Sequence, residues 1–536
     1  MTVVTVIDYG AGNIRSLVNA LKHLGYEVRF VERANDIESA SRLIFPGVGA
    51  FGSAMDGLNR KEGIVDALKK YLQANRPYLG ICIGLQTLFA ASEESPHTPG
   101  LGLIPATIKR FEFDDVEHPP PVPHMGWNGL KPTQNQRYYF VHSYAAFVDD
   151  VPVEWTLATT EYGKRRFVSV VRRGNILATQ FHPEKSGSVG LDLIRRFVEG
   201  VVMTSSSTSS SSMGLSMRVI ACLDVRSNDD GDLVVTKGDH YDVRERKTTG
   251  CVRNLGKPVD LAARYYKEGA DEITFLNITS FRGCPIRDQP MLDVLRQASE
   301  NVFVPLTVGG GIRDVEYVDE SGTSQHYSAL EIATEYFKSG ADKVSIGSDA
   351  VFAAQAFLAS GRTKTGKTSI ELIAKAYGRQ AVVISVDPKR EYVEGPSVAV
   401  GKHVIQTSQP GPNGELYCWY RCTINGGRRV TDLDVWDLVQ ACEELGAGEI
   451  LLNSIDRDGT KSGYDVELIS DVKKAVRIPV IASSGAGCVE HFSQVFERAK
   501  PDAVLAAGIF HRREVSIESV KKHLYESGIP VRLDNI

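Results

Sequence analysis

Cys82 stands in Gly80-Ile81-Cys82-Ile83-Gly84, between the apolar run 77–81 and an amphipathic stretch over 84–89 that reads as the start of a helix. A nucleophile flanked by glycines at a strand-to-helix junction is the nucleophile-elbow pattern, here with sulphur in place of a hydroxyl. The glycines permit a strained turn that exposes the side chain, and the helix N-terminus favours the thiolate. Thiol attack also needs a base. Gln180-Phe181-His182-Pro183-Glu184 supplies one: His182 follows the apolar run 176–178, and Glu184 can hold its tautomer. Pro46-Gly47-Val48-Gly49 follows the run 42–45, and amides at Gly47 and Gly49 can form an oxyanion hole. Taken singly, each piece has a plainer explanation. A lone Cys is usually a small buried hydrophobe, and a loop His before Pro-Glu is usually solvated.

The second half of the chain carries another chemistry. Asp224 ends the run 219–224, and Asp387 follows the run 381–386. Two carboxylates facing one substrate can divide acid and base work when their surroundings differ. Gly309-Gly310-Gly311 and Ser483-Ser484-Gly485-Ala486-Gly487 follow two further runs. Such turns expose backbone amides that bind phosphate. Ser345-Ile346-Gly347-Ser348 and Ala507-Gly508-Ile509 follow the next runs along. Two phosphate turns imply a long bisphosphorylated substrate. The plainer explanations are helix capping for each Asp and tight turns for each Gly.

The elements that must position these residues divide at 203–217, Met-Thr-Ser-Ser-Ser-Thr-Ser-Ser-Ser-Ser-Met-Gly-Leu-Ser-Met, a serine-rich stretch of linker composition. The expected domains are 1–202 and 218–536. In the first, strands over 3–8, 27–31, 42–45 and 77–81 alternate with helical patterns such as 14–24, which predicts an α/β open sheet. Beyond about residue 106 short strands follow, among them 137–142, 167–171 and 176–180. In the second, eight runs read as buried parallel strands: 219–224, 272–278, 302–308, 343–346, 381–386, 449–454, 478–482 and 503–506. Helical patterns such as 258–268, 291–299 and 433–445 fill the gaps, so a (β/α)8 barrel is expected. This barrel repeats itself. Gly-Ala-Asp-Glu-Ile at 269–273 recurs as Gly-Ala-Gly-Glu-Ile at 446–450, and Val304-Pro305-Leu306 as Ile478-Pro479-Val480. The offset is about half the domain, which predicts a half-barrel repeat with Asp224 and Asp387 on opposite sides of the catalytic rim.

The set Gly80–Gln86, Pro46–Gly49 and His182-Pro183-Glu184 resembles the class I glutamine amidotransferases, in the family's own order, over residues 1 to about 200. The resemblance implies that Cys82 attacks the glutamine amide, His182 moves the proton and Glu184 orients it. Gln86, His142, Ser143 and Tyr144 would hold the glutamine. The second half resembles the cyclase of the imidazole glycerol phosphate synthase family. The resemblance rests on Ile220–Asp224, Val235-Thr236-Lys237-Gly238, Leu306–Ile312, Ala341–Ser345 and Ser454-Ile455-Asp456-Arg457-Asp458-Gly459-Thr460. The order glutaminase, linker, cyclase resembles that family's fused eukaryotic form. Departures occur as insertions near 317–327, 359–368 and 390–418, which affect loops rather than rim residues.

What this resemblance implies is concrete. Ammonia released from glutamine reacts with N'-[(5'-phosphoribulosyl)formimino]-AICAR-ribonucleotide (PRFAR) to give imidazole glycerol phosphate and AICAR. Asp224 and Asp387 share the acid and base roles, without assignment of which does which. Lys237 closes over substrate. Gly310, Gly311, Asp458, Gly459, Ser483, Gly485, Gly487 and Gly508 contact it. Ammonia loses its nucleophilicity when protonated in bulk water, so enclosure along the barrel axis is expected. Charged residues begin four strands, Arg218, Glu272, Lys343 and Glu449, and in the family they form a gate ring. Lys185 would meet Asp342 where the halves join.

Composition narrows the field. The chain has 536 residues, a net charge of -5, 42% hydrophobic and 24% charged residues. There is no basic stripe for nucleic acid, no apolar run of the roughly 20 residues a membrane span needs, and no signal-peptide pattern at the N-terminus. The eight cysteines are irregularly spaced, which suits reduced thiols in a cytoplasmic protein. Cys418 and Cys422 form a lone CxxxC pair, too little for a zinc site, and neither metal nor cofactor is expected. Gly47–Gly52 fits GxGxxG but lacks a following acidic strand end, and 361–368 fits a P-loop but follows a helical pattern. With both activities in one chain, a monomer is expected. The nearest rival is an anthranilate synthase glutaminase joined to indole glycerol phosphate synthase, whose barrel would lack the aspartate-bearing repeat. A non-catalytic metabolite-binding regulator is the rival of another class, and a glutaminase assay separates it.

Overall fold

In the computed structural model all residues are described except 1, 11, 114–118, 133–135, 202–213, 228–232, 237–253, 279–288, 319–321, 323 and 534–536. Residues 203–213 of the expected linker, and Lys237, lie outside the described residues.

The N-terminal half is built on a seven-stranded sheet. Its order is Thr156–Tyr162, Arg165–Arg173, Ile176–Thr179, Tyr78–Ile81, Leu43–Phe45, Val3–Val6 and Glu27–Phe30. The strands from Ile176–Thr179 to Glu27–Phe30 run parallel. Helix Ile14–His23 is capped by Asn13, whose side chain accepts from the Ser16 N–H. The amphipathic stretch after Cys82 corrects one expectation. The helix spans only Ile83–Gln86, and Phe89–Ser92 is a strand. That strand gains a parallel partner in Ile104–Arg110, so tertiary pairing overrides the local helical pattern.

The C-terminal half closes into a barrel. Its eight parallel strands are Arg218–Ser227, Glu272–Asn277, Leu306–Gly309, Lys343–Ile346, Val382–Val386, Glu449–Asn453, Val480–Ser483 and Ala503–Ala506, and the last pairs with the first. Strands one and five therefore face each other across the barrel. Strand three starts at Leu306, four residues later than expected, because Pro305 has no N–H to give to a ladder. Ile220, Cys222, Val383, Leu451, Ile481, Ala503 and Leu505 pack together as a small apolar cluster, with residues alternating along each strand. The insertions form satellites: a hairpin of Val315–Val318 with Ser324–Tyr327, and a four-stranded sheet that includes Pro388–Val393 and Tyr417–Ile424. The P-loop-like stretch is an exposed loop after helix Ser348–Ala359, as its context predicts.

The halves join at the barrel's N-terminal face, through residues that precede strands. Trp127 Nε1 donates to Asp271 O at 3.1 Å, and Asn13 Nδ2 to Gly340 O at 2.8 Å. The Gly187 N–H donates to Phe303 O at 3.0 Å, and the Val122 N–H to Arg477 O at 2.9 Å. Met125, Trp127, Tyr139 and Val141 share one buried apolar cluster with the barrel helices. Described residues where the chain enters the barrel are tied to both halves. Ser216 N donates to Trp127 O at 2.8 Å and Met217 N to Pro530 O at 2.8 Å. Among the described residues no helix is long and apolar enough to cross a membrane.

Candidate active site

Cys82 holds the strain at the elbow. Its φ is 52° and ψ is −99°, a conformation that costs a non-glycine residue about 1–3 kcal/mol and that only fixed surroundings maintain. The flanking glycines serve a different end from the one expected. Neither has positive φ; both make room. A Cβ on Gly80 would lie 2.4 Å from Gly84 O, and one on Gly84 would lie 1.9 Å from Phe45 O. The turn after Cys82 thus packs directly on its neighbouring strand, which leaves Cys82 as the residue that absorbs the bend.

His182 begins the short helix Pro183–Lys185, and its Nδ1 lies 2.8 Å from Glu184 Oε1. Both side chains are buried. Burial opposes the charged ring, but the Glu184 carboxylate and the Cys82 sulphur outweigh it and push His182 up to about 10. The other ring nitrogen, Nε2, is buried without a close oxygen or nitrogen partner among the described residues, and the Cys82 thiol acts on the ring by hydrogen bonding as well as by charge. Three side chains that the motifs did not single out complete the surroundings. Gln180 Nε2 donates to Cys82 Sγ at 3.5 Å. Tyr9 Oη donates to Val48 O at 2.6 Å, and its hydroxyl is pushed up by burial first and by Cys82 second. Glu94, raised by burial, accepts from the Phe51 N–H at 2.7 Å and acts on Tyr144 by its charge.

The loop Pro46–Gly49 lies beside this group. Gly49 needs its freedom, with φ at +126°, and a Cβ there would lie 3.4 Å from the Ala376 carbonyl of the barrel. A Cβ on Gly47 would strike Tyr9 Oη at 2.6 Å. Gln86 Nε2 donates to Tyr144 O at 3.1 Å, and Tyr144 and Ser143 are half-buried. His142 differs from its expected part. Its Nδ1 bonds Tyr144 O at 2.8 Å and its Nε2 meets His124 Nδ1 at 3.2 Å, so neither ring nitrogen is left for a ligand. A small open cleft lies between Tyr9, Val48, His182 and Glu184 on one side and Asp342 of the barrel on the other.

Below the barrel the four charged strand-starts close into a ring. Arg218 Nη1 lies 3.1 Å from Glu272 Oε2, and Nη2 lies 2.5 Å from Glu449 Oε1. Lys343 Nζ is 2.6 Å from Glu272 and 2.6 Å from Glu449. All four are almost wholly buried. Burial alone would neutralise Glu449, yet Arg218 and Lys343 hold its carboxyl below the ordinary range. Lys185 Nζ reaches Asp342 Oδ2 at 2.6 Å beside this ring.

At the opposite end, Asp224 is buried on strand one, and Cys222 Sγ lies 3.9 Å from its Oδ1. Asp387 follows strand five, where Asn453 Nδ2 donates to its Oδ1 at 3.0 Å. The register sets Leu276 opposite Asp224, and Asn453 follows the Val386–Leu452 pair. The half-repeat is thus broken at this pair: an apolar neighbour for one aspartate and an amide for the other. The alignment of 269–273 with 446–450, extended three residues along the same strands, sets Leu276 against Asn453. Gly310 and Gly311 turn with φ at 112° and 71°. A Cβ on Gly485 would strike Gly463 O at 2.2 Å, and one on Gly487 would lie 2.6 Å from Lys461 O, so those two glycines seat the 456–463 loop containing Asp458 and Gly459. Gly508 opens the turn Gly508–His511, and Ser483 ends strand seven. Cys418 and Cys422 are buried in the inserted sheet, away from any group of metal-binding side chains among the described residues.

A strained cysteine beside a histidine–carboxylate pair, docked under a closed (β/α)8 barrel, defines a class I glutamine amidotransferase joined to a barrel enzyme. Residues 5–200 match the family described as Glutamine amidotransferase class-I, and residues 218–516 match Histidine biosynthesis protein. Over 542 residues the chain is 56% identical to Imidazole glycerol phosphate synthase hisHF, chloroplastic, of Arabidopsis thaliana, across 99% of this chain and 90% of that relative. It is 52% identical over 551 residues to Imidazole glycerol phosphate synthase hisHF of Schizosaccharomyces pombe, across 99% and 100%. The barrel half is 42% identical over 319 residues to subunit HisF of Methanobrevibacter smithii, across 60% of this chain and 100% of that relative. The chain belongs to the imidazole glycerol phosphate synthase family, in the fused form that carries amidotransferase and cyclase together.

Proposed function

We propose that this chain hydrolyses glutamine to glutamate and ammonia, passes the ammonia through the barrel, and converts PRFAR to imidazole glycerol phosphate and AICAR. In this reading Cys82 is the nucleophile, His182 moves its proton and Glu184 orients the ring. Gly47 and Gly49 face the oxyanion. Gln86, Ser143 and Tyr144 hold the glutamine, and the half-buried Glu94 carboxylate suits its α-ammonium. The observation that carries the reading is the docking at the barrel's N-terminal face, with His182 and Glu184 sharing a cleft with Asp342 next to the ring lysine Lys343. Ammonia made there would pass the ring of Arg218, Glu272, Lys343 and Glu449 to reach the barrel interior.

At the rim, Asp224 and Asp387 divide acid and base work, helped by their unlike neighbours Leu276 and Asn453. The turns at Gly310–Gly311 and at Ser483, Gly485, Gly487 and Gly508 bind the two phosphates, Asp458 and Gly459 contact the substrate, and Lys237 covers it. The division into 1–202, 203–217 and 218–536, a cytoplasmic location and a monomeric chain belong to the same proposal. Incubation with glutamine and PRFAR tests it: glutamate and AICAR should appear in equal amounts. Cys82→Ala should lose this activity and recover it with external ammonium. Absence of that rescue would overturn the two-site reading.

A further inference from the structure

We propose that His124 and His142 form a buried relay, locked in one tautomer, that positions Gln86 and Gln180 against Cys82. The inference rests on Cys82 as the glutamine nucleophile and goes beyond it.

Each hydrogen bond in the chain fixes the next. Tyr144 O is a carbonyl and can only accept. The two atoms that reach it, His142 Nδ1 at 2.8 Å and Gln86 Nε2 at 3.1 Å, must therefore donate. With its proton on Nδ1, a neutral His142 has Nε2 as an acceptor. His124 Nδ1, 3.2 Å away, must then carry a proton, and His124 Nε2 accepts in turn. Asn128 Nδ2 supplies that donor at 3.3 Å, and its own orientation is set independently. Nδ2 also donates to Glu161 O at 3.0 Å, while Oδ1 accepts from the Gly129 N–H at 2.8 Å. Read from either end, the order of donors agrees.

The same logic runs on to the sulphur. Gln86 Nε2 gives its second proton to Gln180 Oε1 at 3.2 Å. That turns Gln180 Nε2 toward Cys82 Sγ at 3.5 Å, so an N–H faces the sulphur. Were the Tyr144 carbonyl free to rotate, Gln86 could flip, and Gln180 would present its oxygen to the sulphur instead. The relay thus orients two amides whose own shape does not choose between N and O.

The surroundings keep both rings uncharged. His124 stacks on Tyr162 at 4.1 Å and on Phe140 at 4.9 Å, and His142 lies 5.1 Å from Phe167. Burial in this aromatic cage pushes His142 down to about 3 and His124 well below its ordinary value. Both histidines are positioning residues, because they reach the reacting centre only through Tyr144, Gln86 and Gln180.

The test begins with the unaltered full chain labelled with 15N-histidine. Two histidines should show a protonated Nδ1 and a bare Nε2 throughout neutral pH, and signal loss in His124 and His142 variants assigns them. An Nε2–H tautomer or a charged ring at either position overturns the proposal. Kinetics supply the second arm. In His142→Asn the amide nitrogen stands in for Nδ1–H, whereas in His142→Gln it stands in for Nε2. The Asn variant should keep kcat/KM for glutamine about tenfold above the Gln variant, the worth of one hydrogen bond. Equal losses overturn the positioning role. Unchanged near-UV circular dichroism and an unchanged urea midpoint of the glutaminase half report that both variants are folded, and the ammonium-dependent reaction reports the barrel. If Cys82→Ala still hydrolysed glutamine, the nucleophile assignment would fall while the tautomer result stood, so the two failures are distinguishable.

Discussion

Lys185, three residues past His182, and Asp342, one residue before the ring lysine Lys343, meet at 2.6 Å across the junction of the two halves. Asp342 is shared further. Its Oδ1 accepts from Asn13 Nδ2 at 2.9 Å, and its Oδ2 from the Leu306 N–H at 2.8 Å. One carboxylate therefore joins the glutaminase base loop, the cap of helix Ile14–His23 and barrel strand three. Asp342→Asn should strand the buried Lys185 ammonium and cost about 3 kcal/mol, read as a lower urea midpoint. The shared carboxylate also predicts that PRFAR stimulates glutamine hydrolysis, and that Asp342→Asn weakens this stimulation. A variant with undiminished stimulation would show that the ion pair serves stability alone.

The histidine pair carries a pH signature. Glu184 and Cys82 lift His182 to about 10 against the cost of burial. The charged ring therefore stabilises the fold fully below its free value of about 6.5, and that contribution fades as pH rises toward the folded value. In Glu184→Gln the largest opposing charge is gone while burial remains, so the imidazole should titrate far lower. An NMR titration of His182 measures this. Glutamine turnover should fall on the order of 10²-fold or more, with ammonium-dependent synthesis retained. An unmoved titration would remove Glu184 from its assigned part.

At the elbow the prediction is steric. Gly84→Ala forces a methyl group within 1.9 Å of Phe45 O, a backbone atom that cannot step aside. Overpacking of this kind costs about 1–3 kcal/mol. The expected phenotype is loss of glutamine-dependent activity with the ammonium-dependent reaction preserved. Parallel loss of both would mean that the clash unfolds more than the elbow.

The broken half-repeat gives the fourth prediction. Asn453→Leu installs at strand six the kind of neighbour that Asp224 already has in Leu276. Asp387 then loses its 3.0 Å donor, and ammonium-dependent cyclisation should drop about tenfold, as for loss of one hydrogen bond to a charged group. Glutamine hydrolysis without PRFAR should not change. If cyclisation survives at full rate, the amide at 453 is packing and nothing more.

Much of this was legible in the chain itself. The eight strands follow from short apolar runs, because a strand buried on both faces must be apolar throughout. The paired Gly-Ala and Asp positions disclosed the half-repeat, and Cys82, His182 and Glu184, each ordinary alone, stand out together through their order along the chain and its resemblance to the amidotransferases. Errors arose where distant chain decided the outcome. Phe89–Ser92 became a strand only because Ile104–Arg110 lies beside it. His142 went to the buried relay because His124 came within reach of its ring.

The sequence by itself determined the order of elements, the two chemistries and the residues at strand ends, since these depend on neighbours along the chain and on a period of two or 3.6 residues. Only the tertiary structure decided which side chains meet. Gln180 reaches Cys82 across 98 positions, and Arg218 reaches Glu449 across 231. Such pairings depend on how the sheet and barrel close, and no local pattern encodes them. The division holds even within the elbow: the glycines around Cys82 are plain in the sequence, but it took the packing of Gly84 on Phe45 to show that they make room while Cys82 itself bears the strain.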